Sequence, residues 1–141
     1  MAQCPGCGAA GGPSCEELFG RLLALDHSRE EPWGPLHGVV VAAYRLQHER
    51  LAERDRTLLL ELLRVFVDDG LEQANRLLES RVRSNSHRNR RPPPPSAGEG
   101  PRPGAFGATI AEVAAGGDFP AAGHPERVAA WAEAVLDAWG R

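Results

Sequence analysis

Three cysteines lie within the first 15 residues, and two of them fall in the pentapeptide Cys4-Pro5-Gly6-Cys7-Gly8. No other feature constrains the chain as much. Two thiols three positions apart on a tight turn can grip one ion from the same side. Pro5 stiffens the turn, and Gly6 and Gly8 permit the left-handed conformations that such a knuckle needs. A redox dithiol would instead need a strand before the motif and a helix directly after it. Here a Gly-rich stretch follows, so metal binding is the better reading. A second CxxC is absent, and Cys15 is the expected third ligand. It opens a helix, where the helix dipole favours a thiolate. Taken alone, Cys15 also fits a small buried core residue. Thiolates in a reducing compartment select zinc or iron, and zinc is the expected cofactor.

Beyond the knuckle, apolar residues recur at helical spacing. Ser14 and Glu17 form a capping box in front of a first helix carrying Leu18, Phe19, Leu22, Leu23 and Leu25 and ending near His27. The loop SREEPWG follows at 28–34. A second helix is expected from about Pro35, a residue favoured at the first helical position, to about Arg50. The triplet Val39-Val40-Val41 tempts a strand assignment, but the continuing helical period overrules it. A third helix covers about 55–68, with Leu58, Leu62, Val65 and Phe66 on one face. Asp68-Asp69-Gly70 stops it. A fourth, about 71–82, carries Leu71, Ala74, Leu77 and Leu78. Residues 83–106, rich in Arg, Pro and Gly, read as a flexible linker. Thr109-Ile110-Ala111-Glu112 is a second capping box, and Gly116-Gly117 ends its short helix. Val128, Trp131, Ala132, Val135 and Trp139 form the stripe of a last helix starting near Pro125.

The fourth ligand must come from His27, His37, His48, His87, His124 or a carboxylate. The short loop between the first two helices makes them antiparallel neighbours. Cys15 then lies near His48, whereas His37 lies at the far end near Asp26 and His27. Positions 37 and 48 share a helix face but stand ~16 Å apart, so one ion cannot take both. His48 is the expected ligand and His37 the alternative. Tyr44, one turn before His48, belongs to the same site. The plainer readings are an exposed helix-end residue for His48, and a structural residue bonded to Asp26 or backbone for His37.

Composition excludes several classes. The formal net charge is -3 at pH 7 and all 16 basic residues are Arg, an acidic balance that argues against a general nucleic-acid binder. Five Arg and His87 crowd 81–91, but without interleaved aromatics they read as a solvated helix end and linker. The letters of GxGxxG occur at Gly6–Gly11, yet no strand precedes them and no dinucleotide fold is implied. No nucleophile elbow is present. No apolar run long enough for a membrane helix and no signal-peptide pattern appear, so a cytoplasmic location is expected.

CPGCG, the Cys that opens a helix and the segment LHGVVVAAYRLQH together resemble an uncharacterised bacterial family, domain of unknown function 5946. TIAEV and HPERVAAWAEAVLDAW are similar to that family's closing Trp-rich helix. The family pattern reads VH, then Tyr, then QHP. His37, Tyr44, Gln47 and His48 match it, while Glu49 replaces the Pro. Many relatives carry a His in the following helix, where this chain has Leu59. If that His completes a catalytic site in relatives, this chain binds metal without the same chemistry. The resemblance implies a Cys/His site and names no substrate.

The expected fold is all-α: a small helical bundle with an N-terminal Cys-rich metal-binding knuckle. Residues 1–82 form the knuckle and core, 83–106 the linker and 107–141 C-terminal helices that pack back, in one domain overall. The expected role is a zinc-binding accessory or interaction protein with a Cys3His site at Cys4, Cys7, Cys15 and His48. Its partners would be one metal ion and a protein. The alternative is a small zinc-dependent hydrolytic or group-transfer enzyme centred on Cys15, Tyr44 and His48.

Overall fold

Ser14 starts the first helix by accepting a hydrogen bond from the Glu17 amide at 3.1 Å. In the computed structural model, which describes residues 4–9, 12–88 and 102–140, this helix (α1) spans Cys15–His27. A single 3-10 turn, Gly34–Leu36, carries Pro35 and leads into α2, His37–His48. Helix α3 spans Glu53–Asp69, α4 Leu71–Arg88, α5 Ile110–Ala114 and α6 His124–Ala138. The fold is all-α, with no strand among the described residues.

Helix α2 organises the bundle because it has two faces. One broad face buries Val39, Val40, Ala42, Ala43, Leu46 and Gln47 and packs against α3 and α6. The valine triplet is thus helical because tertiary burial outweighs its β-branched preference. The other face presents His37, Tyr44 and His48 to α1. His37 meets Asp26 near the end of α1, and His48 lies with Cys15 at its start, so the two helices run antiparallel.

The expected apolar stripes lie largely inside, with Leu23 and Leu58 only half-buried. Leu18 and Leu22 of α1, Leu62 and Phe66 of α3, Ala74 of α4, and Val128, Trp131, Ala132 and Val135 of α6 are all buried. Trp139 is partly buried, and its indole N–H donates to the Leu46 carbonyl at 3.2 Å. Thr109 and Glu112 form the full capping box ahead of α5. The left-handed Ala115, φ 48°, then ends that helix just before Gly116.

One boundary differs from expectation by more than about two residues. Helix α4 continues to Arg88 rather than ending near 82. Its last turns, Ser84-Asn85-Ser86, have a linker's composition, yet helix propagation adds one hydrogen bond for each residue fixed and carries them along. Residues 89–101 of the expected linker lie outside the described residues. Beyond them the chain is tied down: Arg102 donates to the Gln47 carbonyl at 3.0 Å, and Phe106 packs on the core.

Gln47 joins three parts of the fold. Its side chain is fully buried. The amide Nε2 donates to the Ala108 carbonyl at 2.8 Å, and Oε1 accepts from the Trp131 indole N–H at 2.9 Å. Removing the amide would strand both partners in a dry interior, where each unpaired polar group costs about 1–3 kcal/mol. Gln47→Leu is therefore expected to lower stability by about 2–4 kcal/mol, seen as a lower urea midpoint with an unchanged slope.

Candidate metal centre

The knuckle is closed by its own backbone. The Cys4 amide donates to the Ala9 carbonyl at 2.8 Å, and the Gly8 amide donates to the Cys4 carbonyl at 2.9 Å. Gly8 has φ +84°, the left-handed conformation that a side chain disfavours. Gly6 has a different reason to be glycine. Its φ is not positive. A Cβ there would instead stand 2.7 Å from the Gln47 carbonyl oxygen and 3.0 Å from both Cα and Cδ2 of His48. The knuckle lies directly on the last turn of α2, and this close approach delivers Cys4 and Cys7 to His48.

Cys4, Cys7, Cys15 and His48 come together, each offering a ligand atom, and these atoms all lie within 4.8 Å of one another. Cys7 and Cys15 are buried, with their sulfurs 3.5 Å apart, and all three cysteines are free thiols. An ion bound tetrahedrally at zinc–sulfur distances of about 2.3 Å would hold sulfurs roughly 3.8 Å apart, close to the spacing found.

His48 presents a ring nitrogen to the three sulfurs. Its Nδ1 donates to the Tyr44 carbonyl at 2.9 Å, which leaves the lone pair on Nε2. Nε2 is buried and has no hydrogen-bond partner. Burial lowers the pKa of the ring. The bond to Tyr44 opposes this, Arg102 adds to it, and Glu49 again opposes it. A neutral imidazole is the form that ligates metal.

The thiols are not equivalent. Burial works against the Cys4 thiolate, yet the amides of Cys7 and Gly6 and the sulfurs of Cys15 and Cys7 outweigh it, and its pKa falls. Burial raises Cys7 despite a hydrogen bond from the Ala9 amide. Cys15 is raised far above the ordinary thiol range, first by burial and then by the sulfurs of Cys7 and Cys4. The helix dipole expected to favour its thiolate is thus outweighed. Three sulfurs packed this closely cannot all ionise unless a cation joins them.

Tyr44 forms the wall. Its ring stacks on Phe19 at 3.8 Å between centroids and on His48 at 4.1 Å. Burial, then the charges of Cys15, Cys4, Glu16 and Cys7, push its phenol up to about 12, so it stays protonated at neutral pH. Sequence reasoning missed Phe19 and Arg102. Phe19, four residues after Cys15, lies on the same helix face, and that spacing was the available signal. Arg102 lay inside the expected linker, where nothing marked it.

The remaining histidines are elsewhere. His37 accompanies Asp26 at the opposite end of α2. His124 is fully buried beside Trp33 and Phe119. The side chain of His87 lies outside the described residues. Leu59 packs against the core.

Because the knuckle's seat on α2 is set by backbone atoms, Gly6→Ala must push it away. The expected cost is about 1–3 kcal/mol of stability, accompanied by a shift of the His48 imidazole signals in NMR spectra.

No curated protein and no solved structure matches the sequence significantly. The family described as a family of unknown function, DUF5946, matches residues 2–140. With the match covering nearly its whole length, the chain belongs to this family of unknown function.

Proposed function

We propose that Cys4, Cys7, Cys15 and His48 hold one zinc ion in a closed structural centre, and that the protein acts as an accessory or interaction module built around it. One observation carries this reading. Four donor atoms converge within 4.8 Å, and one of them, His48 Nε2, is a buried lone pair with no other partner. Mixed thiolate and imidazole donors in a tetrahedral arrangement suit zinc.

Four protein ligands leave no open position for a substrate or an activated water, which favours a structural role over a catalytic one. The Tyr44 ring, itself stacked on Phe19, packs on the face of the His48 imidazole and supports the same view. Zinc would supply cross-linking: it would tie the knuckle at residues 4–9 to the start of α1 and the end of α2. A reduced thiol set fits a cytoplasmic protein. Among the described residues, no helix is long and apolar enough to cross a membrane.

Protein purified without added metal is expected to contain about one zinc per chain by mass spectrometry. His48→Ala should lose the metal and melt about 10 °C or more lower. Zinc retained at full stability in that variant would remove His48 from the ligand set and turn attention to an enzyme with an open site.

Zinc uptake must also displace thiol protons, because burial holds Cys7 and Cys15 in their protonated forms. Each ion is expected to release about two to three protons at neutral pH. Apparent affinity should therefore rise with pH and fall on acidification. Calorimetry in buffers of different ionisation heat measures the proton count directly.

A further inference from the structure

At the end of α2 remote from the cysteines, Asp26, His27 and His37 meet. Asp26 is buried although it is an acid, and its side chain is fully shielded from solvent. Oδ2 accepts from His37 Nδ1 at 2.9 Å. Oδ1 is also buried and has no hydrogen-bond partner. The His37 ring is 42% exposed, so it reaches from the buried carboxylate toward solvent. His27, the last residue of α1, is exposed, and its ring centroid lies 5.6 Å from that of His37, inclined at 46°.

We propose that His27 and His37 form a second, surface-facing site for a divalent transition-metal ion, bound by two imidazole nitrogens and water, with Asp26 as the positioning residue behind His37. Three features carry the proposal. The first is the carboxylate–histidine pair. A metal-ligating histidine almost always gives its other N–H to a carboxylate or carbonyl, which fixes the tautomer and makes the ligating nitrogen more basic. With Nδ1–H on Asp26, the His37 lone pair is on Nε2.

The second feature is the spacing of the two rings. An ion about 2.0–2.1 Å from each nitrogen lies roughly 3 Å from each ring centre, so two rings on one ion stand about 4.5–5 Å apart at neighbouring coordination positions and up to about 6 Å apart at opposite ones. The observed separation falls inside that limit. The third feature is charge. The Asp26 carboxylate is half-satisfied in a dry setting, and burial pushes its pKa up against the pull of His37 and His27. A cation one imidazole away would stabilise the ionised form. The carbonyl end of α1, where His27 sits, also favours positive charge.

This site shares no residue with the cysteine centre and does not depend on it. Positions 37 and 48 are ~16 Å apart along α2. Its donors are nitrogen and oxygen rather than sulfur, so it would prefer ions such as nickel or copper and would exchange them more readily.

Nickel is the probe, because it accepts imidazole and water and is paramagnetic. The full chain, saturated with zinc, is titrated with nickel by calorimetry and by NMR. One further nickel equivalent is expected, with selective broadening of the His27 and His37 ring signals. His27→Gln, at an exposed position, should lower nickel affinity about tenfold or more while leaving the melting curve unchanged. Asp26→Asn should lower it about 10–100-fold, the usual effect of losing the residue behind a ligating histidine. Repeating the titration on His48→Ala should leave the nickel site intact, which separates it from the fate of the zinc reading. Nickel uptake unchanged in the His27→Gln/His37→Gln double variant, no uptake at all, or broadening at other histidines would overturn the proposal.

Discussion

The antiparallel pairing of α1 and α2 is the constraint on which the rest depends. It brings the start of α1 to the end of α2, and so Cys15 to His48. It brings the end of α1 to the start of α2, and so Asp26 to His37. Between them, Phe19 lies flat on Tyr44, interplanar angle 4°, and spaces the helices with a rigid aromatic contact. Each end of this pair then holds a different chemistry. Soft sulfur donors gather at one end, and nitrogen donors with a buried carboxylate at the other.

The opposite face of α2 explains why that geometry is stable. Gln47 is adjacent to His48, so the residue that anchors the helix to α6 immediately precedes the one that faces the thiols. Trp131, Ala108 and Arg102 all bond to Gln47, through side chain or backbone. The C-terminal part of the chain therefore holds the last turn of α2 at the place where the knuckle seats. Fold and site are coupled through two consecutive residues.

Much of this was legible in the sequence because local chemistry and tertiary structure agree. The Ser14 and Thr109 caps, the leucine stripes and the short loop between the first two helices led to the right elements and the right neighbours. The preference for His48 over His37 as the expected ligand rested on the antiparallel pairing implied by the short loop and on the length of helix between them, and His48 is the one that lies beside the cysteines. Other features were not legible because their causes are non-local. Gly6 is needed for a close approach to α2, not for a left-handed turn, and no reading of CPGCG by itself distinguishes the two. The pKa order of the thiols depends on burial, which outweighs the helix position of Cys15. Ser84-Asn85-Ser86 looked like linker because composition, rather than continuity with the preceding turns, was the visible signal. His124 stands at the start of α6 and gave no sequence sign that it would be wholly interior.

The stack of Phe19, Tyr44 and His48 has one more consequence. Tyr44 is the single tyrosine of the chain. Its ring is held against the His48 imidazole at a centroid distance of 4.1 Å, so a change of charge on that imidazole alters the electric field at the phenol, and with it the chemical shifts and near-ultraviolet transitions of the ring. The protein thus carries an intrinsic chromophore beside its cysteine cluster. A change at that cluster that reaches the imidazole would be read at the Tyr44 ring with no label and no added residue.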